Sequence, residues 1–146
     1  MKLRFLSGGE SHGRGLLLII EGFPAHLEIV EERITHELSR RRRGFGRGPR
    51  MGIEKDRLTV WSGMRNGLTM GSPLGFSLEN TEWEQWKNIL DPWKVDEDAA
   101  LSKRVTRPRP GHADLPGSVK FGQNDIRNVL ERASARSTAA WTVAGT

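Results

Sequence analysis

Five consecutive apolar residues, Leu16 to Ile20, sit between Gly15 and Gly22 and predict a buried strand over 16–21. A glycine-rich loop holding His12 precedes it. From residue 31 the period changes: Ile34 and Leu38 lie four apart, which predicts a helix over 31–43 stopped by Gly44. Its terminal arginines suit the negative end of the helix dipole. Short strands are predicted over 57–63 and 74–79, with Asn66-Gly67 as a turn between them. Thr81-Glu82-Trp83-Glu84 has capping-box spacing and predicts a helix running to Leu90, ended by Asp91-Pro92. Residues 91–116 combine little periodicity with four prolines and read as one long loop. Over 125–144 the residues Ile126, Val129, Leu130, Ala133, Ala140, Trp141 and Ala144 form a single stripe at helical spacing, which predicts one continuous helix.

The 146 residues, 36% hydrophobic and 28% charged, suit one globular domain. With no cysteine, disulfides, thiolate catalysis and cysteine zinc sites are excluded. Residues 1–10 lack an apolar h-region, and the run 16–20 is too short to span a bilayer, so a cytoplasmic protein without membrane contact is expected. A net charge of +5 and a pI near 10.2 raise the question of nucleic acid. The distribution argues for discrete anion contacts instead. Arginines at 40–50 and 103–109 alternate with glycine and proline, while 79–98 is acidic.

Histidine beside glycine and concentrated arginine are the candidate chemistry. His12, in Gly9-Glu10-Ser11-His12-Gly13, reads either as a general acid near anion-binding amides or as a turn histidine bonded to its neighbours. His112, in Arg107-Pro108-Arg109-Pro110-Gly111-His112-Ala113-Asp114, has Asp114 available to orient its ring. His26 and His36 read as structural. Arg47 and Arg50 stand among glycines, where guanidinium and backbone would converge on one anion. The segment is no Walker loop, because the Gly-Lys-Ser/Thr ending is missing. Arg132 and Arg136 share a helix face that Ser134 does not, so a common ligand would have to wrap the helix, or the backbone would have to be irregular there. Trp83, Trp86 and Leu90 read as packing.

Taken in order, Gly9-Glu10-Ser11-His12-Gly13, Gly44-Phe45-Gly46-Arg47-Gly48-Pro49-Arg50-Met51, Gly71-Ser72-Pro73, the segment from Arg107 to Asp114, and Glu131-Arg132-Ala133-Ser134-Ala135-Arg136 resemble the signatures of chorismate synthases from end to end of the chain. The resemblance implies an α+β fold with helices packed between antiparallel sheets, of which 1–146 would be the N-terminal part of a single catalytic domain. It implies a homotetramer that uses reduced FMN, with NADPH as a reductant, to eliminate phosphate from 5-enolpyruvylshikimate 3-phosphate and give chorismate. By motif, His12 and His112 would be catalytic, Arg41, Arg47, Arg50 and Arg136 would bind substrate, and Arg132, Ala133 and Ser134 would contact FMN. Ser137 stands where the family commonly has glutamate. Family members are much longer, and an Arg-x-Asp segment of their later part is absent from this sequence. A fragment without turnover and a small basic nucleic-acid-binding module are the competing expectations.

Overall fold

The computed structural model describes residues 2–44, 52 and 55–146. Arg47 and Arg50 therefore lie outside the described residues. The centre is a four-stranded antiparallel sheet in which β1 (Arg4–Gly8), β2 (Gly15–Glu21), β7 (Leu74–Glu79) and β4 (Leu58–Ser62) are neighbours in that order. On β2 the alternation is strict: Leu16, Leu18 and Ile20 are buried, while Leu17 and Ile19 face outward. Register carries the same face onto β7, where Leu78, Phe76 and Leu74 stand opposite Leu16, Leu18 and Ile20. Ile34 and Leu38 of α1 (Glu31–Arg42) and Ala139, Ala140 and Val143 of α6 (Thr138–Gly145) complete this core. Small side chains on α6 let its backbone approach sheet and α1 closely. The α+β architecture expected from the sequence is the one found.

The Asn66-Gly67 turn forms, with φ of 52° and 74°, the left-handed pair that a tight hairpin requires. It joins two strands that the hydrophobic pattern did not reveal, β5 (Met64–Arg65) and β6 (Leu68–Met70), rather than β4 and β7 directly. They lie in a second, three-stranded sheet in which β6 also pairs with β3 (Ala25–Glu28). His26, at φ 68°, sits where the β3–β6 register shifts. A shift also occurs between Val60 and Ser62 on β4, and it accompanies the bond from the Trp61 indole to Ser77 Oγ at 2.7 Å.

The helix predicted to run to Leu90 is found as α2 (Trp83–Leu90), with Asp91 at its C-cap and Glu82 at its N-cap, where the Glu82 side chain makes no capping bond. Two predicted elements are corrected. The long loop over 91–116 contains one helix, α3 (Glu97–Ser102), capped by Asp96 on Ala99 N–H, and the start of another, α4 (Asp114–Phe121). Pro116 is tolerated in the first turn of α4, and Gly122 closes it at φ 62°. The expected helix over 125–144 is broken. α5 (Arg127–Arg132) stops at Ala133, Ser134 turns extended at φ −67° and ψ 146°, and a 3-10 turn (Ala135–Ser137) leads into α6. Ser134 Oγ accepts the Arg136 N–H at 3.3 Å, so the interruption is capped by its own serine.

Candidate functional site

The break at Ser134 faces the loop between β1 and β2, and the two segments hold each other. Ser11 N–H donates to the Glu131 carbonyl at 3.0 Å, and Ser11 Oγ to Ser134 Oγ at 3.0 Å. His12 N–H donates to Glu131 Oε2 at 2.8 Å, while His12 Nδ1 lies 3.0 Å from both carboxylate oxygens. Glu131 is only 2% exposed. Burial alone would push its carboxyl up. The hydrogen bond and charge of the His12 ring, the His12 N–H and Arg127 together outweigh that effect and hold it below its ordinary value. Arg127 NH1 lies 3.3 Å from Glu131 Oε1.

Trp86 of α2 packs over the His12 ring, with centroids 4.3 Å apart and planes inclined by 36°. The Arg127 and Lys103 cations lie 5.1 Å and 5.8 Å from the same indole. Trp86 is thus packing, as its spacing implied, but what it packs against is the candidate acid.

A second histidine–carboxylate contact forms at the start of α4. Asp114 is fully buried and pairs with His112 Nδ1 through Oδ1. Its Oδ2 accepts Arg109 N–H at 2.9 Å and Arg109 Nε at 3.0 Å. Arg109 is the main reason the Asp114 carboxyl sits well below the usual aspartate range; burial opposes this, and His112 adds to it. Helix α4 rests on α5 at one close point. A methyl group on Gly117 would meet Val129 Cγ1 at 2.3 Å. Both histidine loops are therefore anchored on α5, His12 through Glu131 and His112 through the α4–α5 packing.

Arg136 and Arg41 occupy a buried ionic cluster. Arg136 NH1 pairs with Asp56 Oδ1, its Nε donates to Asn80 Oδ1 at 2.9 Å, and its NH2 donates to the Glu79 carbonyl at 3.2 Å. Arg41 NH1 and Arg42 Nε lie 3.9 Å and 3.7 Å from Asp56 Oδ2. Arg41 also donates to Thr138 Oγ1 and the Ala135 carbonyl, each at 3.0 Å. Asp56 itself is held at φ 46°, a left-handed conformation that aspartate tolerates better than most residues. Sequence reasoning missed Asp56, Asn80 and Glu131. Only Glu131 lay inside a motif singled out, and no role was read for it there.

Arg132 and Ala133 line an apolar cavity of about 320 Å³ with Pro116, Gly117, Phe121 and Val129. A flat aromatic group with an anionic tail suits that lining, since the walls are apolar and Arg132 and Lys120 supply cations. Arg132 NH2 meanwhile donates to the Ser7 carbonyl at 2.9 Å. Ser134 stands apart from this cavity's lining and is engaged with Ser11 and Arg136. No helix among the described residues is long and apolar enough to cross a membrane.

The family model for chorismate synthase matches residues 3–146. The chorismate synthase of Geobacillus sp. (strain WCH70) is 50% identical over 143 residues, which cover 98% of this chain and 37% of that protein. That of Aquifex aeolicus (strain VF5) is 54% identical over 146 residues, covering 98% of this chain and 35% of the relative. A chorismate synthase crystal structure superposes with a TM-score of 0.71 at 41% identity, over 99% of this chain and 32% of that one. The chain spans a little over a third of the length of the curated relatives it matches. With the family model matching nearly its whole length, the chain belongs to the chorismate synthase family.

Proposed function

We propose that this chain carries the proton-handling part of a chorismate synthase active site, which eliminates phosphate and a ring hydrogen from 5-enolpyruvylshikimate 3-phosphate to give chorismate. The observation that carries the reading is that both family histidines are backed by buried carboxylates, His12 by Glu131 and His112 by Asp114. A departing phosphate needs a proton and charge neutralisation, and a carboxylate-backed imidazole beside arginines supplies both. His12 is the residue assigned to protonate the phosphate. His112 is assigned to the flavin side of the site.

Reduced FMN, when bound, supplies the electron-rich partner that the elimination requires, although substrate and product differ by no net redox change. Arg132 and Ala133 would hold it along the apolar cavity, with Ser134 and its Ser11 partner closing the neighbouring backbone. Arg41, Arg47, Arg50 and Arg136 are assigned to the substrate's phosphate and carboxylates. For Arg41 and Arg136 the Asp56 carboxylate already lies in the cluster, so a bound anion would share or displace it. NADPH as the reductant, a homotetramer and a cytoplasmic location complete the proposal.

The test is a titration of the chain with FMN and 5-enolpyruvylshikimate 3-phosphate together, read by flavin fluorescence at fixed salt. Flavin binding that depends on the substrate, weakened by Arg132→Ala, is expected. A folded chain that leaves the fluorescence unchanged overturns the proposal for this chain.

A further inference from the structure

We propose that Glu131 is a positioning residue that fixes the His12 imidazole in one tautomer, with hydrogen on Nδ1, so that Nε2 is the nitrogen that exchanges protons with the substrate. The inference rests on the reading of His12 as the acid and adds the residue that sets which ring nitrogen works.

An ionised carboxylate only accepts hydrogen bonds. Both Glu131 oxygens lie 3.0 Å from His12 Nδ1, and Oε2 also takes the His12 main-chain N–H at 2.8 Å. A hydrogen on Nδ1 is the arrangement in which these contacts attract. The other tautomer would set the Nδ1 lone pair against two carboxylate oxygens. A loop tie alone would need one oxygen on the His12 N–H, whereas here the carboxylate also spans the ring nitrogen. Three further features stop the carboxylate from turning away. Glu131 is buried, Arg127 NH1 approaches Oε1 at 3.3 Å, and the Glu131 carbonyl anchors Ser11 N–H at 3.0 Å. Trp86 restricts the ring plane from one side. A carboxylate that sets tautomer and orientation from behind an imidazole is a general device at proton-transfer and metal sites.

Glutamine at 131 keeps the shape but has one acceptor oxygen and one donor NH2. With its oxygen on the His12 N–H, its NH2 takes the other position 3.0 Å from Nδ1 as a donor, which removes the preference for hydrogen on Nδ1 and favours hydrogen on Nε2. The experiment is long-range proton–nitrogen NMR of the histidine-labelled chain at a pH where the rings are neutral, for wild type and Glu131→Gln. The exposed His26 and His36 serve as internal references. Wild-type His12 is expected to show a pyrrole-type Nδ1 and a pyridine-type Nε2, and Glu131→Gln to lose or reverse that assignment with the references unmoved. A wild-type His12 bearing its hydrogen on Nε2 overturns the proposal, and so does a folded Glu131→Gln chain with the wild-type tautomer. Should the variant fail to fold, the wild-type tautomer alone decides. No flavin or substrate is used, so a chain without turnover leaves this result standing, and a wrong tautomer leaves the proposed reaction untouched.

Discussion

Asn80 Oδ1 accepts a hydrogen bond from Arg136 Nε at 2.9 Å, and the same side chain donates to the carbonyls of Glu10 at 3.0 Å and Gly13 at 2.8 Å. One buried amide therefore ties the two ends of the His12 turn to an arginine 56 positions further along the chain. It sits just after β7, so the sheet fixes where the turn can stand. Replacing it takes a partner from the buried Gly13 carbonyl and Arg136 N–H, while the Glu10 carbonyl keeps the Gly13 N–H at 3.2 Å.

Asn80→Ala is accordingly expected to cost about 2–3 kcal/mol, the scale of stranding buried polar groups. Urea unfolding measures the loss, and amide exchange at Ser11 and His12 should accelerate with it. A loss within about 0.5 kcal/mol, the range of ordinary surface changes, would refute the splint.

Asp56→Ala should be harsher, because it removes the carboxylate from a cluster holding Arg41, Arg42 and Arg136. Removing one partner from a buried ionic pair costs about 3–5 kcal/mol. Inorganic phosphate should restore part of that stability by occupying the vacated position, and thermal melts with and without phosphate check it. An equal phosphate effect on wild type and variant would count against anion affinity in this cluster.

The pH dependence follows from Asp114, whose folded carboxyl is held below its ordinary value chiefly by Arg109. A depressed folded value stabilises the protein at pH above the unfolded value near 4, and this contribution disappears as pH falls through the lower, folded one. Asp114→Asn lacks the titration. The difference in urea midpoint between wild type and Asp114→Asn should therefore be largest above about pH 5 and shrink on acidification. A gap that stays constant down to acid pH would rule out the ionised form as the source.

Gly117→Ala tests the α4–α5 contact that sets His112 relative to His12. The added methyl would press on Val129 Cγ1 at 2.3 Å and Cγ2 at 3.1 Å. Overpacking of this kind costs about 1–3 kcal/mol, more than alanine's helix preference over glycine returns. Val129→Ala in the same chain makes room, so the double variant should be more stable than Gly117→Ala alone. A double variant no better than the single one would place the strain elsewhere.

Wherever turnover is measurable, His12→Ala should lower kcat by about 100-fold or more, the usual contribution of a positioned acid, with a smaller change in KM. His112→Ala should behave alike. Steady-state kinetics at saturating FMN separate the two parameters, and near-wild-type turnover removes the residue from the mechanism.

What the residues determine locally was legible before any fold was known. The alternation that buries Leu16, Leu18 and Ile20, the four-residue spacing of Ile34 and Leu38, and the left-handed Asn66-Gly67 turn are short-range consequences of side-chain geometry. So was the pairing of His112 with Asp114, two residues apart. The motifs also sufficed to place the chain in its family. Only tertiary structure decided the rest. Periodicity ran straight through Ala133 and Ser134, because the stripe of small and apolar residues continues there; the helix breaks where Ser134 can cap the following turn and meet Ser11. Likewise nothing local marks Glu131 as buried, and the loop that covers it lies 119 residues earlier. A polar side chain's role depends on what buries it, and partners that distant in sequence leave no local pattern to read.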